Sequence, residues 1–426
     1  MTLQRIKFNG TIVRADQRFP IEFETWAGED SRLQIEIEPL PAQVLLALQG
    51  AMGKPGSFSE ALVLEGIGPR DETFFSDSVD VRGVNFGTSG NVLKVAARKA
   101  KIVIHCAESV LTPRMRLWFR GFKSFRNPRV KTSLGLVEVL GDARDVAVDD
   151  MSGNVIVQAE AETKLEGWVE RADDFLTFMH RGLGFAHGSR LQTPRLDLRI
   201  GCLWEVTYYQ GDGFGVGLPP IHHLNQGPFI EALAKRFDDP RPFPDMIWTA
   251  IGWLHNDNSF DEGRFLMSMT ALEAMVEHVI PKSLTTVVSK DNFEVIRAKL
   301  LEAITISELE ETPRKIFEGK VKSLNGRTLS QKIQALRDHY GLSKAIFSDD
   351  AVVEIIRARN DIVHTGESAG QGKLWSKVVF VRELISQIVF HEIGYSGPYE
   401  SYVDGYRMVH PGLETAATSS GASSGD

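Results

Sequence analysis

A change of hydrophobic period near residue 228 constrains this chain more than any other feature. Before it, apolar residues recur at every second position; after it, they recur at helical spacing. "RLQIEIEPL" sets Leu33, Ile35 and Ile37 against polar neighbours, the pattern of a half-buried strand. "SVDVRGVNFG", "AKIVIHC", "LGLVEVLG", "NVIVQAEA" and "RLDLRIGCLWEVTYY" are β-branched or aromatic runs punctuated by Gly, Pro, Asp and Asn. Short strands following one another in this way predict an antiparallel sandwich or barrel-like sheet. One stretch interrupts them. Residues 163–181 place Leu165, Trp168, Val169, Ala172, Phe175, Leu176 and Met179 on one helical face, predicting an amphipathic helix lying on the sheet.

"GDGFGVGLPPIHHLNQGP" (211–228) is rich in glycine and proline and reads as a linker. The spacing beyond it predicts helices at 228–238, 243–256, 260–280, 291–304, 328–340, 349–364 and 373–393, a bundle with short connections. Ser348 with Asp349 and Asp350 supplies an N-cap and negative charge for the sixth. The expected architecture is therefore α+β: a β-rich domain at 1–225, a helical domain at 226–412 and a low-complexity, disordered tail at 413–426.

Composition narrows the function classes. The formal charge of −8 over 426 residues gives no bulk attraction to nucleic acid, so any RNA must be met by a local patch. Cys106 and Cys202 lie far apart and form no C-x-x-C pair, which argues against a disulfide scaffold or a cysteine zinc site. Both read as buried thiols in a reducing compartment. "MTLQRIKFNG" has no apolar core of a signal peptide, and no run approaches a membrane span. A cytoplasmic protein without membrane contact is the expectation.

"RNDIVHTG" crowds Arg359, Asn360, Asp361 and His364 into the end of an apolar helical run. A histidine accepts and donates a proton near neutrality, and a guanidinium is a fixed cation that suits an anion. Asn360 would orient the imidazole or bind a phosphate oxygen. At about 100° per residue, Asn360 and His364 share a face, whereas Arg359 lies about 140° from His364. Arg357, seven residues back, falls within about 20° of the His364 stripe. Either the helix unwinds near His364, or Arg359 reaches round, or a second subunit completes the site. Glu273 and Glu277 share a face of the helix at 260–280; Glu273 pairs with Arg359 or orients His364 if it faces the motif, and otherwise is a surface carboxylate.

The stretch from "FLMSMTALEAMVEH" through "RARNDIVHTG" to "LISQIVFHEIG" resembles the HEPN domain family, specifically its ApeA-like branch, over roughly 230–400. The HEPN ribonuclease motif is Arg, a polar residue, three further residues and His, matched here by Arg359, Asn360 and His364. The resemblance implies RNA cleavage without metal or cofactor, head-to-head homodimers and a role in anti-phage defence. Some HEPN domains are inactive binding modules, so a nucleotide- or protein-binding module is the alternative. Because a free ribonuclease is toxic, the β-rich half is expected to restrain it.

"TPRMRLWFRGFKSFRNPRVK" (112–131) interleaves Arg114, Arg116, Arg120, Lys123, Arg126, Arg129 and Lys131 with Trp118, Phe119, Phe122 and Phe125. No acid lies between Glu108 and Glu138. Cations for phosphates and rings for stacking suit single-stranded RNA, with Arg114, Arg116, Trp118, Arg120, Lys123 and Arg126 as contacts. Equally, the aromatics pack in a sheet core and the basic residues line a solvated face. "GDGFGVG" is neither G-x-G-x-x-G nor a Walker A loop. The pair His222–His223 has adjacent side chains expected to point apart, and no carboxylate near it, so no metal is expected. "RGLGFAH" (181–187) reads as a turn. The β-rich half holds no paired carboxylates or nucleophile elbow.

Overall fold

The computed structural model describes residues 4–28, 32–53, 59–87, 90–144, 146–161, 163–211, 217–256, 260–366 and 374–411. The tail expected at 413–426 lies outside them. The fold is α+β, with β-rich structure followed by helices. Two compact units divide it, Met1–Asp239 and Pro240–Asp426.

The first unit begins with β1 (Ile6–Arg14), β2 (Gln17–Ala27), β3 (Leu33–Ile37), the short helix α1 (Ala42–Gln49), β4 (Leu62–Ile67), β5 (Thr73–Asn85) and β6 (Val92–Ala97). Antiparallel pairing runs β4-β1-β2-β3-β6-β5, and β4 also pairs β5, so these six strands close a barrel. Its core is aromatic. Phe8, Phe23 and Phe74 are fully or almost fully buried, with ring centroids 5.2–5.8 Å apart. Leu45 and Leu48 of α1 belong to the same core. Gly10 and Gly66 face each other across β1 and β4. A Cβ on Gly10 would lie 2.1 Å from the Glu65 carbonyl oxygen and 2.8 Å from Phe23, so the seam closes here only without side chains.

The sheet continues with β7 (Lys99–Arg120), which leaves the barrel after a short pairing with β5. There follow β8 (Arg129–Thr132), β9 (Gly135–Leu140), β10 (Met151–Gln158), α2 (Trp168–His187) and β11 (Gln192–Tyr209). The strand order is β8-β9-β10-β7, and β11 pairs β7 along its length. The side chains of β7 alternate. Met115, Leu117 and Phe119 are buried, and Phe119 stacks on His180 of α2 at 5.9 Å.

The interrupting helix is present but runs later than 163–181. "RGLGFAH" is not a turn; it forms the last two turns of α2. Gly182 lies where a Cβ would meet Leu233 at 2.3 Å, so close packing, not chain reversal, is its use. The true stop is Gly188 at φ 72°, whose N–H reaches the Gly184 and Phe185 carbonyls.

Helix α3 (Gln226–Asp238) also belongs to this unit, so the division falls after Asp239 and not at 225/226. Phe229, Ile230 and Leu233 are buried as α3 packs on α2 and β8. Cys202 is exposed rather than buried, because β11 shifts register between Gly201 and Leu203. His222 and His223 do not point apart: their rings lie 4.1 Å from each other. His222 is still extended (φ −61°, ψ 139°) and caps the 3-10 turn that His223 begins, so regular strand or helix directions do not apply.

Burial sets a pH dependence. His187 is half-buried against Phe122, and burial pushes its imidazole from an ordinary 6.5 down to about 4. Above 6.5 both folded and unfolded chains hold it neutral. As pH falls from 6.5 toward 4 the unfolded chain takes up a proton that the folded one refuses. Stability from this group, roughly 3 kcal/mol at most, is lost across that window. His180, which donates Nε2–H to the Leu191 carbonyl at 2.7 Å, is lowered by burial in the same sense. Urea denaturation midpoints are expected to hold level above pH 7 and to drop between 6.5 and 4. His187→Leu should flatten the drop; an unchanged slope would refute the assignment.

The second unit holds α4 (Met246–Leu254), α5 (Asp261–His278), α6 (Lys290–Thr305), α7 (Glu311–Ser323), α8 (Leu329–His339), α9 (Asp349–Thr365), α10 (Leu374–Ile393) and a hairpin of β12 (Tyr399–Ser401) with β13 (Arg407–Val409). Helix α5 is central and packs on α4, α8, α9 and α10. Helix α7 was not foreseen: "ETPRKIFEGKVKS" carries Ile316, Phe317 and Val321 on one side among charged residues, and only Val321 is buried. Its Pro313 falls in the first turn, where a missing N–H costs little. No helix of the described residues is long and apolar enough to cross a membrane.

Candidate functional site

Local chemistry fixes both ends of α9. The Ser348 hydroxyl accepts from the Ala351 N–H at 3.2 Å, and Asp349 and Asp350 fill the first turn. Gly366, at φ 77°, ends the helix with its N–H on the Ile362 carbonyl at 2.9 Å. The helix runs unbroken to Thr365, so it does not unwind near His364.

Helical phase then sorts the motif. Val352, Ile355 and Ile362 are buried, and Arg359 falls on their side. Its Nε donates to Glu273 Oε1 of α5 at 3.1 Å, and its Nη1 donates to Asn360 Oδ1 at 3.3 Å. Both partners of the ion pair are about one-third exposed (31% and 32%), so the pair contributes about 1 kcal/mol or less. Val353, Arg357, Asn360 and His364 form the opposite, exposed stripe. Thus Glu273 does face the motif helix, Asn360 joins Arg359 to that stripe, and Arg357 shares it with His364. Within one copy, Arg359 and His364 stay about 140° apart around the helix axis. Glu277 pairs elsewhere, with Lys332.

The basic–aromatic stretch divides. Register pairs Arg114 with Arg199, Arg116 with Asp197 and Trp118 with Arg195, placing all six on one face of β7 and β11. With Trp204 they line a cleft of about 190 Å³. Arg120 is not an RNA contact: it is 2% exposed and donates to the Gly211 carbonyl at 2.7 Å. Alternation fails at this strand end, where Phe119 and Arg120 are both buried. Lys123 is half-buried in the turn after β7, Arg126 is exposed, and neither lines the cleft. Phe119 and Phe122 pack in the core, while Phe125 is exposed.

Arg195, Asp197, Arg199 and Trp204 were not singled out from sequence. The signal was present in "RLDLRI", where charged residues alternate with apolar ones; what was lacking was the strand partner. A further concavity of about 260 Å³ in the second unit is lined by Tyr340, Gln387, His391, Tyr395 and Tyr399, among others. Tyr340 and Tyr395 already donate to Glu392 Oε1 and the Pro398 carbonyl.

Comparison with known proteins finds no match among family models, curated proteins or solved structures.

Proposed function

We propose that this chain is a HEPN-type endoribonuclease, cytoplasmic and acting in anti-phage defence, that cleaves RNA by 2′-hydroxyl attack without a metal. Its site is completed by a second copy. The supporting observation is the exposed stripe of Arg357, Asn360 and His364 at the end of α9, flanked by Arg359, which Glu273 holds in place. His364 would move the proton, Arg359 would meet the developing phosphorane charge, and Asn360 would bind a phosphate oxygen. Since one helix separates the imidazole from the guanidinium, the imidazole of one copy works with the guanidinium of the other across a twofold axis.

A complementation assay tests this. Arg359→Ala and His364→Ala chains, each alone, should leave RNA uncut in EDTA. Co-expressed, half of the dimers are mixed and each carries one intact composite site. About a quarter of full activity should return. Active unsubstituted protein with no recovery in the mixture would rule out a site shared between copies. The angular separation also favours a second reading, a non-catalytic nucleotide- or protein-binding module. Stoichiometric RNA binding lost in Arg359→Ala, with no cleavage by the unsubstituted chain, would select it.

A further inference from the structure

The cleft between β7 and β11 gathers four guanidinium groups, Arg114, Arg116, Arg195 and Arg199, around one carboxylate, Asp197. Both oxygens of that carboxylate are engaged. Its Oδ2 accepts from Trp118 Nε1 at 2.7 Å and its Oδ1 from Arg195 Nε at 2.8 Å. Arg195 is further fixed among Trp118, Trp204 and Tyr208, 5.5–5.8 Å from their ring centres. Arg116 lies over Trp118 at 4.9 Å and Arg199 over Trp204 at 5.0 Å.

Arg114, Arg116 and Arg199 have no carboxylate of their own among the described residues, and Arg114 Nε is buried without an acceptor. Burying a donor without a partner is costly, and crowding like charges adds to the cost. Burial first, then Arg114, with Arg195 and Arg199 behind it, push the Arg116 guanidinium below its ordinary value against the opposing pull of Asp197. Aromatic faces preorganise the cations, and the one carboxylate locks the scaffold without filling the cleft. This arrangement suits an anion with several acceptor oxygens. The volume lies below the roughly 300–1,000 Å³ of pockets for drug-sized ligands, room for a phosphate and its sugar but not for a run of nucleotides.

We infer that this cleft binds the terminal phosphomonoester of a nucleotide or of an RNA end, held by Arg114, Arg116 and Arg199 on a scaffold of Arg195, Asp197, Trp118 and Trp204. It shares with the ribonuclease reading only its phosphate chemistry, so either can fail alone: binding is read at Arg116, cleavage at His364.

The test uses the full chain, with tryptophan fluorescence and calorimetry as readouts. Inorganic phosphate, adenosine 5′-monophosphate, adenosine, and one short RNA bearing either a 5′-phosphate or a 5′-hydroxyl are the probes. Phosphate and the monophosphate should bind saturably and compete, adenosine should not bind, and the 5′-phosphorylated RNA should bind more tightly than its 5′-hydroxyl twin. Arg116→Gln and Arg199→Gln should each weaken binding by roughly tenfold to a hundredfold. Phosphate should also give a saturating rise in melting temperature that is the same in the unsubstituted chain and in Arg359→Ala, which places the binding outside the α9 site even if an Arg116 or Arg199 variant fails to fold. No saturable binding of phosphate, full affinity in folded Arg116→Gln and Arg199→Gln, or equal tight binding of the two RNA forms would overturn the inference, whereas phosphate and the monophosphate bound with neither RNA held would assign a free nucleotide. Equal binding would mean that the cleft reads internal backbone.

Discussion

His364→Ala is expected to reduce RNA cleavage at least a hundredfold, while changing stability by no more than about 0.5 kcal/mol. The first part follows from chemistry. If the imidazole carries the proton in 2′-hydroxyl attack, removing it removes a contribution of roughly 10²–10⁴ in rate. The second part follows from structure. His364 is exposed at the last turn of α9, so its loss opens no cavity. Arg359→Ala should behave differently in degree. It loses the ion pair with Glu273 as well as the phosphate contact, costing up to about 1 kcal/mol. Glu273→Gln keeps a neutral acceptor for Arg359 and should reduce cleavage less than either alanine substitution. The measurements are initial rates on a labelled RNA in EDTA and chemical denaturation of each variant. Cleavage by His364→Ala at the unsubstituted rate would end the ribonuclease mechanism proposed above.

Phe23→Ala should cost about 3–5 kcal/mol of stability, the largest effect expected of any single substitution in the barrel. Phe23 is fully buried, stacks on Phe8 at 5.2 Å and meets Phe74 edge-on at 5.2 Å. It also covers Gly10 and Gly66, the paired glycines where β1 closes onto β4. Removing the ring leaves a cavity that the closed strand ladder cannot collapse into, so transfer and cavity costs add. Denaturant midpoints of purified Phe23→Ala and Phe23→Leu chains check this. Phe23→Leu should recover part of the loss, and a change below about 1 kcal/mol for Phe23→Ala would show that the aromatic cluster does not hold the barrel.

The legibility of the chain varied with how local the controlling physics was. Helix α9 is capped by its own Ser348, charged by its own Asp349 and Asp350, and ended by its own Gly366, so its bounds could be read within a residue. The alternation in "RLQIEIEPL" likewise marked β3. Helix α7 escaped because its apolar side is short, Ile316, Phe317 and Val321 among charged residues and a proline. "RGLGFAH" misled because glycine signals a turn in isolation, whereas here Gly182 admits Leu233 of another helix. Arg120 was grouped with its basic neighbours, yet burial against Gly211 sets it apart.

Sequence by itself determined the switch from strand to helix, the ends of α9 and the residues of the motif, because periodicity and capping depend on neighbours a few positions away. Only tertiary structure decided which strand β7 would pair with, and so that Arg195, Asp197 and Arg199 stand opposite Trp118, Arg116 and Arg114. It also decided that the barrel closes through β4 and β5, and that Arg359 turns to Glu273 while His364 faces solvent. Those outcomes depend on registers and packing phases set between segments far apart in the chain, and no local pattern carries that information.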